Sequence, residues 1–158
     1  MWIRIASATT FVLSSPAVAG WQYTNWGMSP EQVVAASKGK ASSGSGEPGD
    51  RVSDSPLEVG AVGTHSSGKW QFRTVFYFDG GKLSYIKATL QNGEKGCGSL
   101  WADMKSVYGK PFSEDHDAIM GTAIWQDSTK NNRVALLEIG DLCAIDYKPL
   151  KSADNQAL

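Results

Sequence analysis

The sequence lacks the short motifs that mark several common enzyme classes. It has only two cysteines and two histidines. It contains no Cys-x-x-Cys pair, no Gly-x-Ser-x-Gly turn and no Gly-Lys-Ser/Thr loop. These motifs carry dithiol redox chemistry, serine hydrolysis and phosphate binding, respectively. The sequence therefore gives no support for any of these activities.

The chain also lacks an excess of charge of either sign. Its 15 Lys and Arg residues are balanced by 16 Asp and Glu residues, for a formal net charge of −1. Nucleic-acid binding requires clustered cations to neutralise phosphates, so we expect no nucleic-acid partner. No stretch approaches the 18 or so consecutive apolar residues of a transmembrane helix, so we expect no transmembrane segment.

The first residues are typical of a cleaved export signal. Arg4 precedes a mildly apolar run from Ile5 to Leu13, and Ala17-Val18-Ala19 has the small-x-small pattern that signal peptidase recognises. We therefore interpret residues 1–19 as a signal peptide, with Gly20 as the new N-terminus and a periplasmic or secreted destination. The alternative is a buried N-terminal strand or helix.

Both cysteines lie in the part of the chain that remains after cleavage. Because an exported protein folds in an oxidising compartment, we predict a disulfide between Cys97 and Cys143. The loop that it closes, about 47 residues long, corresponds to about 4 kcal/mol in the chain-entropy model. The alternative is a pair of buried free thiols.

The pattern of elements predicts one α+β domain over residues 20–150, in the order α-β-β-β-α-β-β-β. Ser29, Pro30 and Gln32 form the start signals of a first helix, and an apolar stripe predicts a second helix from Ser99 to Tyr108. We expect an antiparallel sheet of about five to six strands with both helices on one face. The six strands are predicted at 57–65, 70–78, 83–90, 121–126, 133–139 and 141–147.

Two segments have the composition of irregular structure. Residues 38–56 are rich in Gly, Ser, Pro and charge, which predicts a long mobile loop. Residues 151–158 are predicted to be a flexible C-terminal tail.

Two local patterns raise the question of catalysis. Cys97-Gly98-Ser99-Leu100-Trp101 is similar to the active-site box of papain-like cysteine proteases, but Leu100 stands where that family has its nucleophilic cysteine. The run Ser113 to Asp117 places three carboxylates beside His116, and oxygen and imidazole ligands of this kind can hold a divalent cation. Its spacing matches no calcium loop, so a solvated acidic turn is the simpler interpretation. We predict no catalytic residue, no metal site and no cofactor.

Aromatic residues provide candidate contact surfaces. Trp21, Tyr23 and Trp26 precede the first helix, and Arg73 and Tyr77 share one face of the third predicted element, opposite Phe72 and Phe76. Large aromatic side chains on a surface are common interface anchors. The same residues are also suited to closing one end of the core, and both interpretations stay open.

Three stretches together resemble a known group of small exported bacterial proteins. They are Trp26 to Val33, Phe76 to Ile86, and Leu100 to Pro111. Their caps, turns and apolar spacing resemble the β-lactamase-inhibitor-like fold, which is shared with the SmpA/OmlA outer-membrane assembly lipoproteins. The resemblance implies a protein that acts through contacts with other proteins, although this chain has no lipidation cysteine.

These observations lead to one functional expectation and two alternatives. We expect an exported, non-enzymatic module that binds another protein or an envelope component, through the sheet face and the segment Trp21 to Trp26. The first alternative is a small envelope hydrolase or metal-dependent enzyme that uses His116 and its acidic neighbours. The second is a structural or stress-related protein without a specific ligand.

Overall fold

A computed structural model describes residues 20–91 and 97–150 of the chain. Within these residues it forms one eight-stranded antiparallel sheet and two short α-helices. The helices are α1 (Pro30–Ala36) and α2 (Gly98–Tyr108). The strands are β1 (Ala41–Ser43), β2 (Glu58–Ser67), β3 (Trp70–Asp79), β4 (Lys82–Leu90), β5 (Ser113–His116), β6 (Met120–Asp127), β7 (Asn132–Ile139) and β8 (Leu142–Pro149). The predicted signal peptide 1–19 and tail 151–158 lie outside the described residues.

The prediction of five to six strands is wrong. The described residues contribute eight strands, in the spatial order β1-β2-β3-β4-β8-β7-β6-β5. The two strands that the sequence did not predict, β1 and β5, lie at opposite edges of the sheet. Every residue of β5 is exposed, so this strand has no buried face and no apolar alternation from which it could be recognised.

The helix side of the sheet holds the larger apolar core. Phe72, Phe76 and Phe78 of β3 pack there against Val33 of α1, as the alternation of this strand predicts. The α2 residues Leu100, Trp101 and Met104 belong to the same cluster. Both helices therefore cover the same face.

Helix α1 begins as its sequence predicts. The Ser29 hydroxyl accepts a hydrogen bond from the backbone N–H of Gln32, and the Gln32 side chain accepts one from the Ser29 N–H at 2.9 Å. This capping box satisfies two N–H groups that the first turn leaves without helical partners.

Hydrogen bonds hold the segment that precedes α1 against the helix side of the sheet. The Trp26 indole N–H donates to Asn132 Oδ1 at 2.9 Å, and the Asn132 amide donates to the Gly20 carbonyl at 3.2 Å. Gly27 and Met28 exchange backbone hydrogen bonds with Leu83. The N-terminal segment is thereby tied to both β4 and β7.

The predicted disulfide between Cys97 and Cys143 is confirmed. Cys97 immediately precedes α2 and Cys143 lies in β8, with 5.7 Å between their Cα atoms. The bond therefore attaches the start of α2 to the centre of the sheet.

The segment predicted as a loop over 38–56 contains β1 and one turn of 3-10 helix, Pro48–Asp50. The stretch 44–57, which we call the strap, runs over the face of the sheet opposite the helices. Arg73 of β3 donates to both carboxylate oxygens of Asp50, with Nη1–Oδ1 at 2.9 Å and Nη2–Oδ2 at 2.6 Å. Leu57 packs beside a second apolar cluster formed by Val75, Tyr77 and Tyr85. The strap thus covers β2, β3 and β4 on this side.

No helix of the described residues has the length and apolar character needed to cross a membrane.

Candidate binding face

The strap covers only half of the helix-free side of the sheet. Strand alternation places Val134 and Leu136 of β7 in the helix-side core, so Arg133, Ala135, Leu137 and Ile139 point to the opposite side. The described residues provide no comparable cover over β5–β8 on that side. We call this uncovered half the open face.

Exposed apolar side chains line one end of the open face. Met120, Ile139 and Leu142 are neighbours across three strands, because Met120 pairs with Ile139 and Ile139 pairs with Leu142. Their exposed fractions are 49%, 49% and 47%. Single exposed apolar residues are ordinary on a protein surface, and a group of neighbouring ones makes this end of the face a candidate contact surface.

The other end of the open face is a groove with a volume of about 660 Å³. Phe112, which is 72% exposed, stands at its β5 side. The groove crosses four strands from β4 to β6, and is lined by Ser84, Phe112, Ile124, Gln126, Arg133, Lys148, Pro149 and Leu150.

Two cations lie side by side in this groove. Arg133 pairs with Lys148 across β7 and β8, and both residues line the groove. The Lys148 ammonium lies 4.8 Å from the centre of the Tyr85 ring. Among the described residues, the Arg133 guanidinium forms no hydrogen bond and no salt bridge, although its charge acts on the Asp146 carboxyl. Its guanidinium is therefore available to a carboxylate from outside.

Asp146 of β8 lies close enough to Arg133 and Lys148 for both cations to act on its carboxyl. The Tyr85 hydroxyl donates to Asp146 Oδ1 at 2.8 Å. Burial raises the pKa of Asp146, an effect that Tyr85, Lys87, Lys148 and Arg133 reduce. Burial also raises the pKa of Tyr85, so its hydroxyl keeps the proton that it donates. Asp146 is thus half-buried and hydrogen-bonded to Tyr85, and the two cations outnumber this one carboxyl group.

The residues predicted to form a contact surface lie mostly in the interior. Trp21 is 5% and Tyr77 is 1% exposed. Tyr23 and Trp26 are partly buried and pack against the helix-side core. Arg73 is held by Asp50 under the strap. The structure therefore separates these five residues between the two sides of the sheet instead of bringing them together at one site.

His116 and its neighbours serve the attachment of α2 to the sheet edge. The His116 ring stacks on Trp101 with 5.4 Å between centres, and the Trp101 indole donates to Glu138 Oε2 at 2.6 Å. Lys105 of α2 pairs with Glu114 of β5 at 2.6 Å. Nowhere in the described part of the chain do three or more His, Cys, Asp or Glu side chains gather in a geometry suited to a metal ion.

Asp117 closes the turn between β5 and β6. Its Oδ1 accepts hydrogen bonds from the N–H groups of Ile119 at 2.7 Å and Met120 at 2.8 Å. These two hydrogen bonds lower the pKa of the Asp117 carboxyl. Structural contacts thus account for Glu114, His116 and Asp117 of the acidic run.

The open face was missed because its residues come from separate strands. The one local signal is in β7, where Arg133, Ala135, Leu137 and Ile139 alternate with a second apolar set. That pattern predicts a strand with two apolar faces, but it cannot tell which face another element covers.

Comparisons with protein-family models, with curated proteins and with solved structures find no match for this chain.

Proposed function

We propose that this chain is an exported binding module whose open face holds a segment of another protein that is both apolar and acidic. The observation that carries the proposal is the arrangement of the face. Exposed Met120, Ile139 and Leu142 lie at one end, and Arg133 and Lys148 lie at the other. Apolar burial would supply most of the affinity, and the two cations would select and orient the partner.

The charge of the face differs from that of the whole chain, which has a net charge of −1. A local basic site on such a protein attracts anionic partners without attracting nucleic acid in general. Carboxylates suit Arg133 in particular, because a guanidinium binds them through two parallel hydrogen bonds.

The shape of the face favours a protein over an anionic lipid. A small ligand is normally enclosed over most of its surface, whereas this face is open along its length. The strands present a broad surface of the kind that another protein segment can cover. Binding of lipid vesicles in preference to peptide would contradict this choice.

The Cys97–Cys143 disulfide supports the exported part of the proposal, because such bonds persist in oxidising compartments. The intact mass of the protein isolated from its own cells tests this part. A mass that matches a chain starting at Gly20 supports export, and a mass that matches a chain starting at Met1 contradicts it.

A labelled peptide with an apolar half of Leu residues and an acidic half of Glu residues tests the binding itself, because its two halves can lie on the two ends of the face. We expect saturable binding by fluorescence anisotropy that weakens as salt rises, since salt screens exposed charges. The double variant Arg133→Glu/Lys148→Glu should weaken binding about tenfold or more, equivalent to about 1.4 kcal/mol.

Lys38→Glu is the matched control, because Lys38 is an exposed cation in the α1–β1 turn. It changes the net charge without touching the open face and should leave the affinity nearly unchanged. The proposal fails if Lys38→Glu weakens binding by as much as each of the two charge reversals in the double variant does on average. It also fails if a Lys-Leu peptide binds as tightly as the Glu-Leu peptide.

A further inference from the structure

A second concavity lies on the opposite side of the sheet, between α2, the N-terminal segment and the β2–β3 hairpin. Its volume is about 250 Å³. Rings dominate its walls, with Trp21, Phe72 and Tyr147 buried and Trp70 half-buried. Ala88 of β4 contributes only a methyl group to the lining, so space remains above this strand.

On one side, the mouth of this pocket is lined by polar side chains that carry little charge. The Gln22 amide Nε2 lies 3.4 Å from His65 Nε2. Burial, with a smaller contribution from Lys40, lowers the pKa of His65. The neutral imidazole can then accept the amide proton in this pair.

The other side of the mouth carries charges that are already partnered or exposed. The Trp70 indole N–H donates to Asp103 Oδ2 at 2.8 Å, and Lys69 lies 3.6 Å from the same carboxylate. Lys130 also lines the pocket, but it is exposed to solvent, which screens its charge.

Gln22 is held at the mouth in a costly backbone conformation. Its φ of 57° lies in the left-handed region, which is uncommon for residues other than glycine. Residues in such conformations are concentrated at ligand sites, where the surrounding structure maintains them. Here the strained residue is also the one that reaches across to His65.

We propose that this pocket binds a small, uncharged aromatic molecule that carries one hydrogen-bonding group. The ring would lie among Trp21, Phe72 and Trp70, where offset and edge-to-face contacts are favourable. The hydrogen-bonding group would meet Gln22 or His65 at the mouth. The volume is just below the range of about 300–1,000 Å³ for drug-sized ligands, which suits a ligand of one or two rings. This proposal does not depend on binding at the open face.

Indole and naphthalene are suitable probes, because they are similar in shape and only indole has a hydrogen-bonding group. We expect calorimetry to show saturable binding of indole to the wild-type protein, tighter than that of naphthalene. In nuclear Overhauser spectra the bound indole should contact the methyl groups of Ala88 and Ile145, which line the pocket.

Two variants test the location. Ala88→Leu fills the space above β4 and should weaken indole binding about tenfold or more, equivalent to about 1.4 kcal/mol, while binding of the Glu-Leu peptide stays unchanged. Gln22→Gly accepts the positive φ and removes the amide, so the protein should fold at least as well and lose its preference for indole over naphthalene. Arg133→Glu is the control and should leave indole binding intact.

The proposal is overturned if wild-type protein binds neither probe at millimolar concentration. It is also overturned if folded Ala88→Leu binds indole as well as wild type, or if the bound ring contacts methyl groups of the open face. Should Ala88→Leu not fold, the contacts in the wild-type spectra and the Gln22→Gly preference still decide the matter.

Discussion

The guanidinium of Arg73 binds both carboxylate oxygens of Asp50, and this pair fastens the strap to the middle of the sheet. The two side chains are 24% and 12% exposed, so water competes with the pair only weakly. The pair holds the strap over β2–β4 and leaves β5–β8 uncovered on the helix-free side. The position of the candidate binding face therefore depends on where the strap is held.

Removing the Asp50 carboxylate should release the strap. Asp50→Ala breaks two charged hydrogen bonds to Arg73 and the one that Asp50 accepts from the Glu47 N–H at 2.7 Å. Hydrogen bonds to charged groups are worth about 1.5–3 kcal/mol. Trypsin cleavage after the exposed Arg51 should accelerate about tenfold to a hundredfold, because proteolysis follows the population of the open form.

Glu47→Gln is the control for this experiment. Glu47 lies 3.6 Å from Arg73, but its side chain is 74% exposed, and exposed pairs contribute about 0–1 kcal/mol. Its cleavage rate should stay close to that of wild type. Equal rates for wild type and Asp50→Ala would show that the pair does not hold the strap.

The sequence predicted most of the elements that have local signals. The capping box at Ser29 follows from short-range rules, and so does the strand predicted at 70–78, which the structure extends by one residue to Trp70–Asp79. Strand β1 could not be predicted in this way, because its three residues, one Ala and two Ser, show no alternation of apolar and polar side chains. The pairing of β4 with β8 joins residues about 60 apart in the chain, and no local pattern specifies such a partner.

The candidate site was less predictable than the fold. The sequence leaves Trp21 and Tyr77 as either surface anchors or core residues, and both are buried. Composition favours either interpretation, and only the packing of the N-terminal segment and the strap decides between them. Phe112, Arg133 and Lys148 become neighbours only when β5–β8 assemble. The resemblance to the β-lactamase-inhibitor-like fold stays a prediction.

Asp146 should lower stability as it ionises. Because burial raises its pKa above the unfolded value of 3.8, its favourable contribution is present below that pH and is lost as pH rises through the folded pKa. Asp146→Asn stays neutral and its amide oxygen can still accept the Tyr85 proton. We expect the variant to be at least as stable as wild type at pH 7, with the advantage vanishing toward pH 3.

Urea unfolding between pH 3 and pH 7 measures this difference. A variant that is less stable at pH 7 by more than about 1 kcal/mol, beyond the usual range of surface substitutions, would contradict the expectation. It would mean that the ionised carboxylate gains more from Lys87 and its other cationic neighbours than burial costs.

Gly60 should not tolerate a side chain. It lies at an irregularity in the pairing of β2 with β3, and a Cβ there would approach the Phe78 ring to 2.7 Å and Pro30 Cγ to 3.0 Å. Gly60→Ala should lower the free energy of unfolding by about 1–3 kcal/mol, the usual cost of overpacking.

Gly49→Ala is the matched control, because a Cβ at Gly49 would meet no atom within 4 Å. Its effect should stay within about 0.5 kcal/mol, as for other surface substitutions. Equal effects at the two positions would show that Phe78 and Pro30 do not exclude a side chain at position 60.

The disulfide should supply a large part of the stability. The Cys97→Ser/Cys143→Ser variant frees a loop whose closure is worth about 4 kcal/mol in the chain-entropy model. Urea midpoints of the oxidised, reduced and double-serine proteins provide the comparison. The reduced protein and the variant should agree with each other and lie well below the oxidised protein. Coincidence of all three would show that the bond adds little to the packing of α2.

A methyl NMR titration with the Glu-Leu peptide tests directly whether the open face binds, because different methyl-bearing side chains lie on the two sides of the sheet and each gives its own signal. We expect the methyl signals of Ile124, Leu137, Ile139 and Leu142 to shift, while those of Val33, Leu136 and Ile145 in the helix-side core stay in place. Shifts confined to the helix side, or none at saturating peptide, would contradict the assignment of the open face as the binding surface.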